Sequence, residues 1–182
     1  DQKLYQLDST QFEAYNQANI WMDWEKQVTP TLRQSLNIMH DFDHLEVEVK
    51  AVDTQAQAEK LIAELQQQLK GFEHTAVITS FDLKIHHALI LQNTHFKHGL
   101  LIENDIGEKA IEQAIELQCC QIGWMNQLAT DEIIKTTQKA GLAVSVWTVN
   151  DIERAKHLRN LKIDGLITDF PKMMQIALEQ IK

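Results

Sequence analysis

Proline is nearly missing from this 182-residue chain: there are two, with six glycines, so no Pro/Gly-rich linker divides it. Cysteine is as scarce. Cys119 and Cys120 are adjacent, a spacing that rarely bridges and that fits no metal-ligand pattern, and no second pair exists to build a disulfide framework. A reducing, cytoplasmic setting is the expectation. Basic residues are outnumbered: 17 Lys and Arg against 26 Asp and Glu leave a formal charge of −9, with no basic stripe to offset it. That excludes a general nucleic-acid binder. A phosphate-bearing substrate would need a local device: a metal ion, a lysine or backbone N–H groups. No apolar run approaches the ~20 residues that span a bilayer, and no charged-then-apolar leader opens the chain. No Gly-x-Gly-x-x-Gly follows any β-rich run, which removes the best cue for a dinucleotide fold.

What is present is ordinary globular composition, 44% hydrophobic and 24% charged, in a length that suits one domain with a sizeable core. From residue 44 a rhythm sets in. Short β-rich runs occur at 44–50, about 75–80, about 98–103, about 119–124, 143–149 and 164–169. Amphipathic helical stretches separate them. Residues 54–69 place Ala58, Leu61, Ile62 and Leu65 on one helical face, with Thr54 as N-cap and Gly71 as C-cap. Segments 107–117, 130–140, 151–160 and 171–181 repeat the theme; Gly141 closes one of them, and Asp169 with Pro171 opens the last. About six strand–helix units of this kind predict parallel strands joined by crossovers, either a doubly wound sheet or part of a (β/α)8 barrel. Residues 1–43 differ: 10–20 read as a helix behind Ser9 or Thr10, and 28–39 as a turn and a helix starting near Pro30.

The stretch "HLEVEVK", residues 44–50, carries the first chemical signal. Alternation puts Leu45, Val47 and Val49 on one face and Glu46, Glu48 and Lys50 on the other. Parallel strands are usually covered on both faces, so charges there need a partner, a metal or water. A solvated edge strand with an incidental Glu–Lys pair explains the pattern. So does a barrel-strand end at which a carboxylate holds Mg²⁺ or Ca²⁺ and an ammonium faces a phosphate. In "VWTVND", Trp147 shares parity with Ser145 and Ala143 and reads either as a core aromatic or as an apolar wall for a substrate; Asn150 and Asp151 read as helix caps. In "DGLITDFP", Asp169 reads as a cap rather than a ligand. Ser80 and Glu103 end strands and could line one mouth, though a lone serine lacks an activating partner for nucleophilic catalysis. His40–Asp41 reads as a loop pair. His86 and His87 are helix neighbours, about 100° apart, and poorly placed to share a metal.

Several of these stretches resemble the glycerophosphodiester phosphodiesterase family. "VSVWTVNDIERAKHLRNLKIDGLITDFP" is similar to its C-terminal Trp-Thr-Val-Asn, helix and Ile-Thr-Asp-x-Pro signature. "LEVEVK" resembles its Asn-Ile-Glu-Ile-Lys strand, "TPTLRQSL" the segment before that strand, and "TSFD" its Ser-Phe-Asp; order and spacing agree over about residues 28–175.

The resemblance implies a (β/α)8 TIM barrel and metal-dependent hydrolysis of a glycerophosphodiester to glycerol 3-phosphate and an alcohol. By position, Glu48 matches the metal-binding glutamate and Lys50 the catalytic lysine near the phosphate. Trp147 matches the aromatic against the glycerol side, and Ser80 belongs with the substrate-binding residues; Glu46 has no match. The implied cofactor is a divalent metal, Mg²⁺ or Ca²⁺, and the implied partner a small glycerophosphodiester. The family's opening His-Arg strand, Glu-x-Asp strand and second His-Asp are not found in this sequence, and His40–Asp41 lies on the wrong side of "TPTL". Residues 1–182 are therefore expected to be a phosphodiesterase domain carrying barrel strands 3 to 8, with strands 1 and 2 and the acid/base histidines supplied by the same or another chain, and to be inactive alone. Family members occur inside and outside the cytoplasm, so periplasmic or secreted settings stay open. The rival reading is a non-catalytic member that binds a phosphate ligand or a protein.

Overall fold

The computed structural model of the chain describes Gln11, Glu25 and residues 28–179; the helix expected over 10–20 falls, apart from Gln11, outside the described residues. The chain divides into two units, 1–43 and 44–182. In the first, helix α1 (Leu32–Ile38) starts two residues after Pro30. Its start is a reciprocal capping box: Gln34 N–H donates to Thr31 Oγ1 at 3.2 Å, and Thr31 N–H donates to Gln34 Oε1 at 2.8 Å.

The second unit alternates strand and helix throughout. Its elements are β1 (Leu45–Glu48), α2 (Gln55–Gln68), β2 (Ala76–Ser80), α3 (Leu83–Leu91), β3 (Lys97–Ile102), α4 (Lys109–Glu116), β4 (Gln121–Met125), α5 (Asp131–Lys139), β5 (Ala143–Trp147), α6 (Ile152–Asn160), β6 (Gly165–Leu166) and α7 (Pro171–Glu179). All pairings are parallel and follow chain order from β1 to β6. Local signals set the helix ends. Thr54 caps α2 through a second capping box with Gln57, Thr130 caps α5 through Ile133 N–H, and Asp151 caps α6 through Arg154 N–H. Gly141, just past α5, takes φ +80°, the left-handed conformation that glycine adopts without a Cβ penalty.

Pairing in strict chain order curls the sheet, as in a barrel. Its convex face packs on the helices. Leu100, Ile102, Ile122, Trp124, Val144 and Val146 from the strands meet Ala110, Ile111, Ala114, Ile134, Ala155 and Leu158 from α4, α5 and α6 in one buried cluster. The Trp124 indole N–H, only 1% of that residue being exposed, donates to Thr137 Oγ1 at 3.2 Å, and Thr137 Oγ1 donates in turn to Ile133 O at 2.7 Å. The concave face is curled far enough that Gln121 Nε2 on β4 donates to Glu46 Oε1 on β1 at 2.9 Å. Glycines on this face make room for neighbouring strands: a Cβ at Gly99 would stand 2.4 Å from Gln121 Cγ, and one at Gly123 would stand 2.5 Å from Leu101 Cδ2. The expected α/β architecture, a curled parallel sheet forming part of a (β/α)8 barrel, is what the chain adopts.

Candidate active site

β1 answers the question its sequence raises. Leu45 and Val49 are buried, and Glu46, Glu48 and Lys50 line the concave cavity. The cavity is about 1060 Å³ and takes side chains from all six strands or their immediate flanks. At the strands' C-terminal end lie Glu48, Lys50, Phe81, Glu103, Trp147 and Thr148; toward the N-terminal end lie His44, Glu46, Lys97, Gln121 and Asp164. Four lining side chains are carboxylates, Glu46, Glu48, Glu103 and Asp164, against two lysines, Lys50 and Lys97.

Lys50 Nζ donates to Glu48 Oε1 at 2.5 Å, with 80% of the lysine side chain and 36% of the glutamate exposed. An ion pair this wet is worth about 0–1 kcal/mol, so either partner can be redirected to a ligand at little expense. Trp147 stands against the wall by donating its indole N–H to Gly123 O at 3.0 Å, and Phe81 meets it edge-to-face, ring centres 5.4 Å apart at 88°. These rings form an apolar panel beside the charged pair. Ser145 Oγ is buried, lines the cavity and has no hydrogen-bond partner among the described residues.

Ser80 is placed differently from its expected role. It follows Thr79 on β2, so it takes the opposite face; Thr79 lines the cavity and Ser80 does not. Its hydroxyl, fully buried, donates to Val49 O at 2.7 Å and accepts from Asp82 N–H at 3.0 Å, so it ties β1 to the start of α3. Asp169 and Asn150 also part from their expected capping roles. Asn150 Nδ2 donates to Asp169 Oδ2 at 2.7 Å, while Asn150 Oδ1 accepts from Asp169 N–H and Thr168 Oγ1, both at 3.0 Å. With Val149 N–H donating to Ile167 O at 2.8 Å, the loops after β5 and β6 are bolted together at the mouth. Phe81, Ser145 and Thr79 also line the cavity; of these only Ser145 shares a strand, and hence its alternation, with Trp147, while Thr79 and Phe81 belong to β2 and its flank.

Oxygen donors at the mouth suit a hard cation in kind, with Glu48 and Glu103 on the same cavity. The only grouping of three His, Cys, Asp or Glu donors among the described residues lies elsewhere, on the convex side: His86, His98 and Cys119. Neither neighbouring pair forms it: His86 is joined by His98 rather than His87, and Cys119 stands in it without Cys120.

A curled parallel sheet with ligand-facing groups at its C-terminal end and helices on its outer face defines an enzyme-type α/β-barrel site. By its sequence match, which runs over residues 2–173, the chain belongs to the glycerophosphoryl diester phosphodiesterase family. Among solved structures, it superposes on a glycerophosphodiester phosphodiesterase from Parabacteroides distasonis with TM-score 0.72 at 19% identity, covering 91% of this chain and 72% of that one. A putative glycerophosphodiester phosphodiesterase from Galdieria sulphuraria gives 0.77 at 16%, covering 98% and 73%. A phosphodiesterase from Oleispira antarctica, solved in complex with the product sn-glycerol-3-phosphate, gives 0.71 at 19%, covering 84% of this chain and 62% of that one. Comparison with curated proteins finds no match. Among the described residues no helix is long and apolar enough to cross a membrane.

Proposed function

We propose that this chain provides the phosphate-facing part of a glycerophosphodiester phosphodiesterase, a hydrolase releasing glycerol 3-phosphate and an alcohol. The observation that carries the reading is that Glu48, Lys50 and Trp147, set on strands far apart in sequence, line one cavity at the strands' C-terminal end in a member of this family. Lys50 leaves its weak pair with Glu48 to face a phosphoryl oxygen, where the ammonium stabilises charge that grows as the phosphorus–oxygen bond breaks. Trp147 and Phe81 hold the carbon backbone of the glycerol moiety, and the unpartnered Ser145 hydroxyl offers it a hydrogen bond. Four carboxylates around the cavity repel a phosphodiester anion, so further positive charge is needed. A divalent metal, Mg²⁺ or Ca²⁺, would supply that charge and polarise the phosphoryl group when bound, with Glu48 as the ligand this chain contributes.

The family resemblance assigns proton transfer to histidines, and the described histidine on the cavity, His44, lies at its other end and pairs with Glu46 at 3.6 Å. We place those groups on further barrel strands, from the same or another chain, beside the edges at β1 and β6, and treat 1–182 as one domain with them. A cytoplasmic setting accords with two free cysteines.

Calorimetry tests the binding half. The chain should bind sn-glycerol 3-phosphate in Mg²⁺ or Ca²⁺, and Lys50→Ala should weaken it about tenfold. Affinity unchanged in Lys50→Ala overturns the assignment of Lys50. The hydrolysis half is read from glycerol 3-phosphate release out of glycerophosphocholine. The 182-residue chain alone should release none, and robust turnover by it would refute the placing of the acid and base outside it.

A further inference from the structure

We propose that His86, His98 and Cys119 form a buried site for one thiophilic transition-metal ion, copper(I) or zinc(II), behind the wall of the concave cavity. The three residues come from different elements: His86 from α3, His98 from β3 and Cys119 from the turn leading into β4. They are 0%, 8% and 7% exposed. Their donor atoms converge. His86 Nδ1 and His98 Nδ1 are 3.0 Å apart, and Cys119 Sγ lies 3.8 Å from the first and 3.7 Å from the second. A metal about 2.0 Å from nitrogen and about 2.3 Å from sulfur spaces such donors by about 3.3–3.7 Å, so a few tenths of an ångström separate this arrangement from a loaded trigonal one.

The orientation of His86 is the second, independent observation. Its Nε2 lies 3.1 Å from the carbonyl oxygen of Ser80, which can only accept, so Nε2 carries the hydrogen. Nδ1 is then a bare lone pair aimed at His98 and Cys119. A backbone carbonyl holding the far ring nitrogen is the arrangement that fixes tautomer and ring angle in metal-binding histidines. Without an ion, His98 Nδ1–H donates to that lone pair, and the thiol sits beside both.

Donor chemistry selects the class of ion. Two imidazoles and a thiolate disfavour Mg²⁺ and Ca²⁺, and favour copper or zinc. Burial, reinforced by the neighbouring Cys120, pushes the Cys119 thiol up to about 12, and burial, with His86 beside it, takes His98 down to about 4. The apo cluster is thus uncharged; as a metal binds, the thiol proton leaves to solvent and the His98 ring exchanges its Nδ1 proton for one on Nε2, so one proton is released per ion. Copper(I) with one thiolate is neutral, whereas zinc(II) leaves one positive charge in a dry layer, so copper(I) is expected to bind more tightly.

The test loads the full chain with zinc(II) and, anaerobically under reductant, with copper(I). X-ray absorption of the bound ion should show one sulfur with imidazole nitrogens, at one ion per chain. Cobalt(II) should give a thiolate-to-metal charge-transfer band that Cys119→Ser abolishes and Cys120→Ser keeps. Retention of no ion, a shell without sulfur, or a band that survives Cys119→Ser overturns the site. If Cys119→Ser does not fold, the absorption spectrum of the unaltered chain decides on its own.

Discussion

On the concave face of the sheet, Glu48 and Lys50 meet in a wet mouth where each remains free to turn to a ligand. On the convex face, under α3, His86, His98 and Cys119 meet where water is shut out, and every polar atom must answer to a neighbour or an ion. One sheet thus carries two kinds of polar site. Charge is tolerated at the strand ends because solvent screens it, and a weak ion pair there is an asset, since little free energy is lost in breaking it. In the dry layer only groups that can be neutral survive, and they hold fixed geometry because nothing else can satisfy them.

The sharpest way to break this contrast is through Trp124, which anchors the convex face. Its indole fills the space over α5 and hands its N–H to Thr137. Trp124→Ala removes a fully buried aromatic and orphans part of that chain of hydrogen bonds. The expected loss is about 3–5 kcal/mol, read from urea unfolding. A loss below 1 kcal/mol would mean that the convex layer is not packed as described.

Asp82, the N-cap of α3, ties that helix to the loop after β1 and should show an intermediate effect. Its carboxylate caps α3 through Lys84 N–H at 3.0 Å, pairs with Lys84 Nζ at 2.9 Å, and accepts Val52 N–H at 3.0 Å from the loop after β1. Burial pushes the Asp82 carboxyl up, but the Lys84 side-chain bond and the N–H groups of Val52 and Lys84 outweigh it, so it lies below its ordinary value. With the folded-state value depressed, the stabilisation is complete above the unfolded-state value and disappears as pH falls through the folded one. Asp82→Asn should cost about 2 kcal/mol near neutral pH, and the gap to the unaltered chain should narrow as pH falls from the ordinary carboxylate range through the lower folded-state value. A gap independent of pH would show that shape, not charge, is what Asp82 contributes.

Alternation along single strands was legible, and it carried most of the mouth. The parity of "HLEVEVK" put Glu46, Glu48 and Lys50 together, and that of "AVSVW" put Ala143, Ser145 and Trp147 together; all six line the cavity. What sequence could not give was register between strands. Ser80 ends its strand just as a mouth residue should, yet the pairing of Glu48 with Thr79 hands the concave position to Thr79. The convex cluster was hidden for the same reason. Sequence sets His86 beside His87, whereas its companions lie 12 and 33 residues on, on β3 and in the turn before β4, and only the fold brings them to α3. Asn150 and Asp169 looked like two separate caps, because nothing in either motif reveals that their loops touch.

That contact is where the smallest effect is expected. Asn150 is exposed, and its side chain makes three hydrogen bonds to Thr168 and Asp169. Solvent can replace each of them, so Asn150→Ala should lose only about 1 kcal/mol of stability. Its consequence for the mouth should be larger than that figure suggests. These bonds add to the backbone pairing of β5 with β6 and to the Val149–Ile167 bond in fixing the loop after Trp147, and their loss lets the Trp147 panel shift relative to Lys50 on the far strand. Affinity for sn-glycerol 3-phosphate should therefore fall in Asn150→Ala by more than its stability does, while Trp124→Ala, if folded, should lose stability with affinity nearly intact. Should the two variants lose affinity in proportion to stability, the mouth and the convex layer would have to be one cooperative body, and the distinction between the faces would have no functional meaning.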